Sequence, residues 1–454
     1  MTAIGLVLLG VAYYTALSIN SPAGALTLFF FAVILVIAAT YLLFISGSVF
    51  LCKVLKKNKN FYYTSKHFVS LSGMTYRMKR NGAGLASICI LSTMVLVMIS
   101  SAGSLYLGQN ASLQSLYPAQ IQVRTSLDEM TDEDEIDERI HFVNETINNV
   151  IEKENRVDER EFQYIMFPAS MKEGKISIES FNDMDPMDDI CTVMLASMDD
   201  YNRYGEKISL SENETYINTE GWRYKGETIE IDGHIYDIVG KADKRLALGN
   251  MEAMNCIVMY VDNFDYVKDD LLKDYPEIVC YYHNVNFNTE LSEEEQIPVC
   301  DNLKVSLLGV SNVLARSAAS ADLVNMYASL FVLGIFLSIA FMGACVLIMY
   351  YKQLTEGYED ANSYHIMRNV GMTKAEIKRS VNSQTLVTFF SPLVVAGIHL
   401  TFSGPMVRLI LSILGFNNVF SFVMAYAGCF ILFALFYFTV YKKTVKAYVD
   451  IVSY

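Results

Sequence analysis

Carboxylates are the most concentrated chemical groups in this chain. Of its 49 Asp and Glu residues, 43 lie in residues 108–320, which hold 18 Lys and Arg and carry a net charge of −25. The densest run includes Asp128, Glu129, Asp132, Glu133, Asp134 and Glu135. Such a run complements the dipole of a helix N-terminus, which is the preferred explanation for the run alone. The charge of the whole stretch instead favours long-range attraction of cationic ligands, and it excludes nucleic acid.

No arrangement of side chains predicts catalysis or a metal centre. The sequence lacks the G-x-x-x-x-G-K-[ST] loop that cradles nucleotide phosphates, so ATP hydrolysis would have to come from a partner subunit. The six histidines form no H-x-x-x-H pair, and no C-x-x-C spacing supports a zinc site. We therefore expect a chain that is not an enzyme and has no cofactor of its own. Four cysteines in the acidic stretch, at 191, 256, 280 and 300, permit two disulfides in three pairings, or none.

A second candidate site lies in residues 352–384, where charged and apolar residues surround one glycine. Ile366, Met367 and Val370 form a short apolar face that ends at Gly371. Glycine just past a helix supplies a left-handed C-cap, and a threonine two positions later begins a capping box for the next helix. The pattern predicts a short helix, a tight turn at Gly371 with positive φ, and a second helix.

Uncharged windows indicate that both segments belong to a membrane protein. The windows are residues 1–52, 81–123, 323–351, 380–407 and 409–441. A membrane-spanning helix needs about 20 mostly apolar residues. We predict six transmembrane helices, at about residues 3–19, 25–51, 83–107, 323–350, 385–403 and 419–441.

Lysine and arginine set the predicted orientation. They cluster in residues 53–82, 352–384 and 442–454, which the positive-inside rule places in the cytoplasm. Residues 108–320, between the third and fourth spans, then lie outside. A signal peptide is rejected because the N-terminus lacks a basic region and a second apolar span follows almost at once. The expected fold is an integral membrane α-helical protein with six transmembrane helices and a large extracellular α+β domain.

Periodicity gives the expected elements on either side of the membrane. Residues 131–155 predict a helix capped by Thr131, and two strands flank Asp232-Gly233, a strong signal for a two-residue hairpin. Residues 256–261 and 278–282 are further strand candidates. In the cytoplasm, residues 53–82 suit an amphipathic helix in the membrane interface, with a plain basic loop as the alternative. In the fifth predicted span, His399 is a candidate functional group, but a single hydrogen bond to a neighbouring helix is the favoured explanation.

The helix–glycine–helix segment resembles the coupling segment of the FtsX/MacB-like permeases, the membrane subunits of one class of ABC transporter. The residues that carry this resemblance run from Ile366 to Thr373. Further motifs resemble the bacitracin-export (Bce-type) permeases of Gram-positive bacteria, and they lie at residues 5–14, 62–63, 76–79, 349–353, 356–360 and 391–400. The resemblance covers nearly the whole chain and is weakest in the acidic stretch.

The resemblance implies a function that the residues alone do not give. It implies that a separate ABC ATPase subunit, which uses ATP, docks at the coupling segment. The implied coupling residues are Glu356, Tyr358, Glu359, Ile366, Met367, Arg368, Val370, Gly371 and Met372. It further implies a multi-pass protein of the bacterial cell membrane that contacts membrane lipid. Such a protein acts on a cationic peptide antibiotic or its lipid-carrier complex, and it signals to a membrane histidine kinase.

Bce-type permeases have ten spans, and this sequence resembles the last six. The resemblance therefore implies a truncated gene product, a fragment of a longer chain or a shortened paralogue. One alternative is a non-transporting FtsX-like regulator, and another is the remnant of a broken gene. A secondary transporter is disfavoured because the spans lack the broken or charged helices that such proteins place at mid-membrane.

Overall fold

We analysed a computed structural model of the chain. It describes residues 1–19, 22–47, 49–50, 65–128, 130, 132–172, 174–180, 189–205, 207–220, 224, 226–243, 246, 255–369, 371, 373–416 and 418–453. The helices are α1 (Thr2–Ser18), α2 (Pro22–Leu42, continued by a π-helical turn at Leu43–Gly47), α3 (Ser65–Leu107), α4 (Gln109–Leu116), α5 (Glu133–Val150), α6 (Met198–Arg203), α7 (Phe264–Asp274), α8 (Glu293–Ser306), α9 (Arg316–Asn369), α10 (Lys374–Ser412) and α11 (Val419–Ser453). The strands are β1 (Ile121–Ser126), β2 (Arg156–Lys172), β3 (Lys175–Ile178), β4 (Asp189–Ser197), β5 (Glu214–Glu220), β6 (Thr228–Ile231), β7 (His234–Lys241), β8 (Asn255–Val261), β9 (Cys280–Thr289) and β10 (Ser311–Ala315).

Long apolar helices form the first half of the architecture. In the described part of the chain, five helices are long and apolar enough to cross a membrane, and α1 is a shorter apolar helix of 17 residues. The five segments are Gly24–Gly47, Gly82–Leu107, Arg316–Asn369, Thr385–Ser412 and Val419–Val452. These helices are consistent with a multi-pass membrane protein. The count of six spans stays a prediction, because α1 is shorter than the other apolar helices.

The four longest helices, α3, α9, α10 and α11, pack around one apolar core, with α2 beside them. Small residues bring the backbones together. A Cβ added to Gly334 of α9 would lie 2.7 Å from the Cβ of Ala102 on α3. A Cβ added to Gly397 of α10 would lie 2.9 Å from the ring of Phe430 on α11. Both glycines are therefore required by close approach between helices.

The helix before the predicted turn is not short. It is the end of α9, which continues without a break for 54 residues from the sheet to Asn369. At 1.5 Å per residue, α9 is about 80 Å long. Nothing stops it at the end of the apolar window because no proline or helix-ending glycine follows there. A change from apolar to charged side chains alters the environment of a helix without altering its backbone.

The second half of the architecture is a ten-stranded sheet between α4 and α9. Strands β2, β3, β6, β7, β5, β8 and β4 pair in that order, and β4 returns to β2, so these seven strands form a closed ring. The first part of β2 pairs with β9 instead, and β9, β1 and β10 extend the sheet beyond the ring. Closure removes exposed edges from the ring.

Apolar side chains cover both faces of this sheet. One cluster fills the side of the ring that α7 covers, and a second lies on the opposite side with α6. A third cluster joins α5 and α8 to the extension. The predicted hairpin is present as β6–β7, and Asp232 (φ 48°) and Gly233 (φ 82°) both have positive φ, as a type I′ turn requires. Residues 121–315 thus form an α+β domain with its own core.

Several local expectations differ from the structure. The first domain helix spans Glu133–Val150, and its N-cap is Asp132, whose side chain accepts a hydrogen bond from the backbone of Asp134. Thr131 lies outside the described residues. The last strand candidate begins later, at Cys280, and continues to Thr289. Cys191, Cys256, Cys280 and Cys300 are thiols, so none of the permitted disulfides forms.

Residues 65–107 form one helix, α3, so a helix does lead into the third predicted span. The side chains of residues 65–81 and all of residues 51–64 lie outside the described part. The amphipathic character and the interfacial position of this segment stay predictions.

A short neck joins the domain to the helices. The backbone of Gln120 donates to Asn288 and accepts from the N–H of Arg316, while its side chain accepts from the N–H of Thr289. The Arg316 guanidinium donates to the carbonyl of Tyr117 at 2.7 Å. α9 therefore begins directly at the sheet, without a flexible linker.

Candidate coupling site

The turn between α9 and α10 has the predicted backbone. Gly371 has a φ of +105°, and its N–H donates to the carbonyl of Arg368 at 3.0 Å. Among the described residues beyond its chain neighbours, a Cβ added to Gly371 would meet nothing within 4 Å. Conformation rather than space therefore requires glycine here. The neighbouring Val370 and Met372 lie outside the described residues.

The end of α9 exposes apolar side chains beside this turn. Ile366 is 58% exposed and Met367 is 37% exposed, while Arg368 is half-buried. Two turns earlier, Tyr358 is 67% exposed, and Glu359 is exposed as well. An exposed apolar pair at the tip of a long helix suits contact with another protein.

Glu356 has a different environment from the other predicted coupling residues. Its side chain is only 4% exposed, so it lies inside the bundle and cannot form part of a docking surface in this conformation. The next residue, Gly357, packs against the end of α11. A Cβ added there would lie 3.3 Å from side-chain atoms of Tyr448 and Ile451.

A small apolar cluster holds the two helices of the turn together. It comprises Tyr364 of α9, Val381 of α10, and Tyr448 and Val452 of α11. The hydroxyl of Tyr448 also donates to the Asp360 carboxylate at 2.6 Å. Sequence reasoning missed this contribution from α11, since its residues lie about 80 positions further along the chain.

The acidic run is divided between structural and exposed positions. Asp128 accepts hydrogen bonds from the Ser126 hydroxyl, at 2.7 Å, and from the backbone N–H of Tyr281, so it ties β1 to β9. Asp132 caps α5. Glu133, Asp134 and Glu135 are exposed in the first turn of α5, and Glu129 lies outside the described residues. The helix-dipole explanation therefore fits part of the run.

A shallow depression of about 430 Å³ lies beside the exposed acids. Glu135, Glu138 and Arg139 line it together with Met130 and Phe142. Phe142 is 46% exposed. The depression combines negative charge with apolar surface, which suits a ligand that is both cationic and apolar.

Sequence reasoning missed a second acidic cavity, of about 310 Å³, on another part of the sheet. Its charged lining residues are Glu161, Asp199, Asp200, Arg203, Asp265 and His283. His283 Nε2 lies 2.9 Å from Glu161 Oε1, and Arg203 pairs with Asp200 at 3.0 Å. Among the residues that the structure describes, no three ligands are placed to hold a metal ion. These side chains come from four separate elements, so no local signal could have grouped them.

The surroundings shift the acidity of two carboxyl groups in this cavity. The hydrogen bond from His283 lowers the pKa of Glu161 to about 2, and a second bond from Asn144 acts in the same direction. Burial raises the pKa of Asp200, while the backbone N–H of Gln163 and the Arg203 guanidinium oppose that shift. Glu161 therefore stays negatively charged at neutral and at mildly acidic pH.

His399 makes two hydrogen bonds rather than the single one favoured from the sequence. Its Nδ1 lies 2.7 Å from the Tyr13 hydroxyl on α1, and its Nε2 lies 3.0 Å from Thr40 Oγ1 on α2. Thr40 Oγ1 also donates to the Val36 carbonyl. It must therefore accept from Nε2–H, which leaves Nδ1 to accept from Tyr13. His399 thus fastens α1 and α2 to α10.

The sequence of this chain is similar to sequences of known proteins. Homologues of this chain are ABC transporter permeases, as the coupling-segment motif predicted. No protein-family model matches the chain.

Particular relatives include bacitracin exporters. The chain is 22% identical to the ABC transporter permease protein YxdM of Bacillus subtilis, over 91% of this chain and 63% of that permease. It is 21% identical to the bacitracin export permease protein BceB of the same organism, over 91% of this chain and 62% of that permease. It is 20% identical to BceB of Halalkalibacterium halodurans, over 90% of this chain and 62% of that permease. The chain therefore spans less than two thirds of the length of these relatives.

Proposed function

We propose that this chain is the membrane subunit of an ABC transporter that links ATP hydrolysis by a separate subunit to resistance against cationic peptide antibiotics. The observation that carries the proposal is α9, which begins at the sheet and ends at the exposed turn. One helix therefore connects the domain to the site that we assign to ATPase docking. Ile366 and Met367 supply an apolar contact at that site, and Arg368 and Glu359 supply charge.

The orientation follows from charge. We place the coupling turn in the cytoplasm, where ATP is available, and the acidic domain outside. The reason is that Lys and Arg flank the span ends on the side away from the acidic domain. The cell membrane of a bacterium is the proposed location.

The substrate class rests on the acidic domain. Its negative charge and the depression beside α5 favour a cationic, partly apolar peptide, alone or with its lipid carrier. The bacitracin export relatives support the same class. A membrane histidine kinase is a further proposed partner for sensing.

Copurification from membranes tests the docking step. An ABC ATPase subunit encoded beside the gene should copurify with the parent chain, and Arg368→Glu should weaken this association because it reverses one charge beside the turn. Lys443→Glu, which reverses one exposed charge on α11 outside the predicted coupling residues, serves as a control for charge reversal. Equal recovery with Arg368→Glu and with the parent would remove the turn as the docking site.

A salt series tests the ligand. Binding of a cationic peptide to the full chain in neutral nanodiscs should weaken steeply as salt rises, since the Debye length falls to about 8 Å at physiological ionic strength. Affinity that does not change with salt would exclude charge as the basis of recognition.

A further inference from the structure

The last residues of α11 pack along the part of α9 that leads to the turn. We propose that residues 356–369 of α9, here called the arm, and residues 444–452 of α11, here called the tail, move as one rigid body. Tyr448 is the positioning residue of this body. The inference rests on the proposed docking of an ATPase subunit at Gly371, and it adds the element that holds the docking site in place.

A buried hydrogen bond joins the arm to the tail. Tyr448 is fully buried, and its hydroxyl donates to Asp360 Oδ2 at 2.6 Å. Hydrogen bonds to an ionised acceptor are shorter and stronger than neutral ones. Asp360 lies about two turns before Arg368, so the bond fixes the arm close to the turn.

The two helices approach closely at Gly357. A Cβ on Gly357 would lie 3.3 Å from Tyr448 Cδ2 and from Ile451 Cδ1, and 3.6 Å from Ile451 Cβ. Contacts of 3.3 Å are tighter than ordinary van der Waals contact. A long side chain at position 357 would therefore separate the arm from the tail.

Both sides of the turn contact the tail. The cluster of Tyr364, Val381, Tyr448 and Val452 contains one residue from before the turn and one from after it. All four side chains are at most 6% exposed. The tail thus contacts both α9 and α10. The exposed Ile366 and Met367 therefore lie on three helices packed together rather than at the end of a single helix.

A disulfide lock tests the rigid body directly. The distance of 3.6 Å between an added Cβ at 357 and the Cβ of Ile451 falls within the range of about 3.5–4.5 Å found in disulfides. Gly357→Cys with Ile451→Cys, in a background without native cysteines, should oxidise to near completion in membranes of the full chain. Gly343→Cys with Ile451→Cys is the control, because a Cβ at Gly343 meets nothing within 4 Å. A yield no higher than that of the control pair would overturn the packing.

Activity of the locked protein tests whether arm and tail stay together. With the ATPase subunit bound, peptide-stimulated ATP hydrolysis should be equal in the oxidised and reduced forms. Loss of stimulation on oxidation, with recovery on reduction, would show that the arm and the tail separate during the cycle and would overturn the proposal.

Rescue separates positioning from folding. Tyr448→Phe should shift the equilibrium from the packed toward the separated arm by about 10- to 150-fold, the range expected for one hydrogen bond to a charged group. Stimulation of ATP hydrolysis by peptide should fall accordingly, while the ATPase subunit still binds. Forming the 357–451 disulfide in the Tyr448→Phe variant should restore this stimulation. Loss that the lock does not restore would assign Tyr448 a structural role only.

Two glycine variants give an independent readout. Gly357→Leu should uncouple hydrolysis from peptide, whereas Gly343→Leu, on the same helix, should not. Failure of the parent chain to bind any ATPase subunit would sink the proposed function, but the disulfide yield would still decide whether arm and tail pack together.

Discussion

Replacing Gly371 by valine tests the backbone conformation of the turn separately from its contacts with other elements. The φ of +105° lies in a region that β-branched residues adopt at a cost of about 1–3 kcal/mol. In the described part of the chain, no other element comes within 4 Å of a Cβ added at Gly371, so overlap with another element adds nothing to this cost. The docking-competent turn should therefore lose population by up to about 150-fold relative to other turn conformers.

Affinity for the ATPase subunit measures that population. The apparent Kd rises in proportion as the competent conformer becomes rarer, and titration of labelled ATPase subunit onto the chain in nanodiscs gives this Kd. Gly343→Val is the matched control, because its Cβ also meets nothing within 4 Å but its backbone is helical. Asparagine tolerates positive φ better than valine, so Gly371→Asn should give an intermediate Kd. Equal Kd values for the valine variants at 371 and 343 would refute the reasoning.

Three further outcomes are expected from charge and hydrogen bonding. A cysteine in place of Glu212 should react with an impermeant thiol reagent in intact cells lacking other outer thiols, whereas one in place of Asn362 should not; the reverse pattern would invert the orientation. His399→Phe leaves two hydroxyl groups without their imidazole partner and should destabilise the chain in detergent by about 1–3 kcal/mol, and a melting temperature unchanged from that of the parent would contradict this. The pKa of Glu161 lies below its usual value, so its contribution to stability is present above about pH 5 and is lost as pH falls toward 2; Glu161→Gln should flatten acid unfolding in this window, as followed by tryptophan fluorescence.

Local signals predicted local structure well. The Asp232-Gly233 pair predicted a hairpin because both residues tolerate positive φ, and the structure has that hairpin. Gly371 predicted a helix end for the same reason. In each case a few adjacent residues determine the backbone, so no distant information is needed.

The extent of α9 could not be predicted in this way. The apolar window ends near Tyr351, and dividing the sequence there suggested two helices. Hydrogen bonds within a helix depend on the backbone, and the charged residues that follow are good helix formers. The helix therefore continues to Asn369, and the turn at Gly371 is attached directly to the long apolar helix α9.

Contacts between distant residues account for most of what the sequence did not reveal. Tyr448 and Asp360 are 88 positions apart, and His283 and Glu161 are 122 positions apart. Each pair depends on how whole elements pack, and neither partner has a local pattern that marks it. The ring of strands also lacks a local signal. β2 pairs with β4 on one edge and with β9 on the other, and no sequence repeat marks the residues that pair.

Different interactions hold the two ends of α9, and they bear on how movement would pass along the helix. At the neck, one backbone hydrogen bond joins Arg316 to Gln120, and the Gln120 and Arg316 side chains bond further backbone groups. At the other end, the hydrogen bond from Tyr448 to Asp360 and a small apolar cluster join the arm to the tail. Under the proposed function, the arm and the tail shift as a unit when the ATPase subunit closes. The neck would transmit that shift as a tilt of the whole domain, because it contains no flexible linker to absorb it.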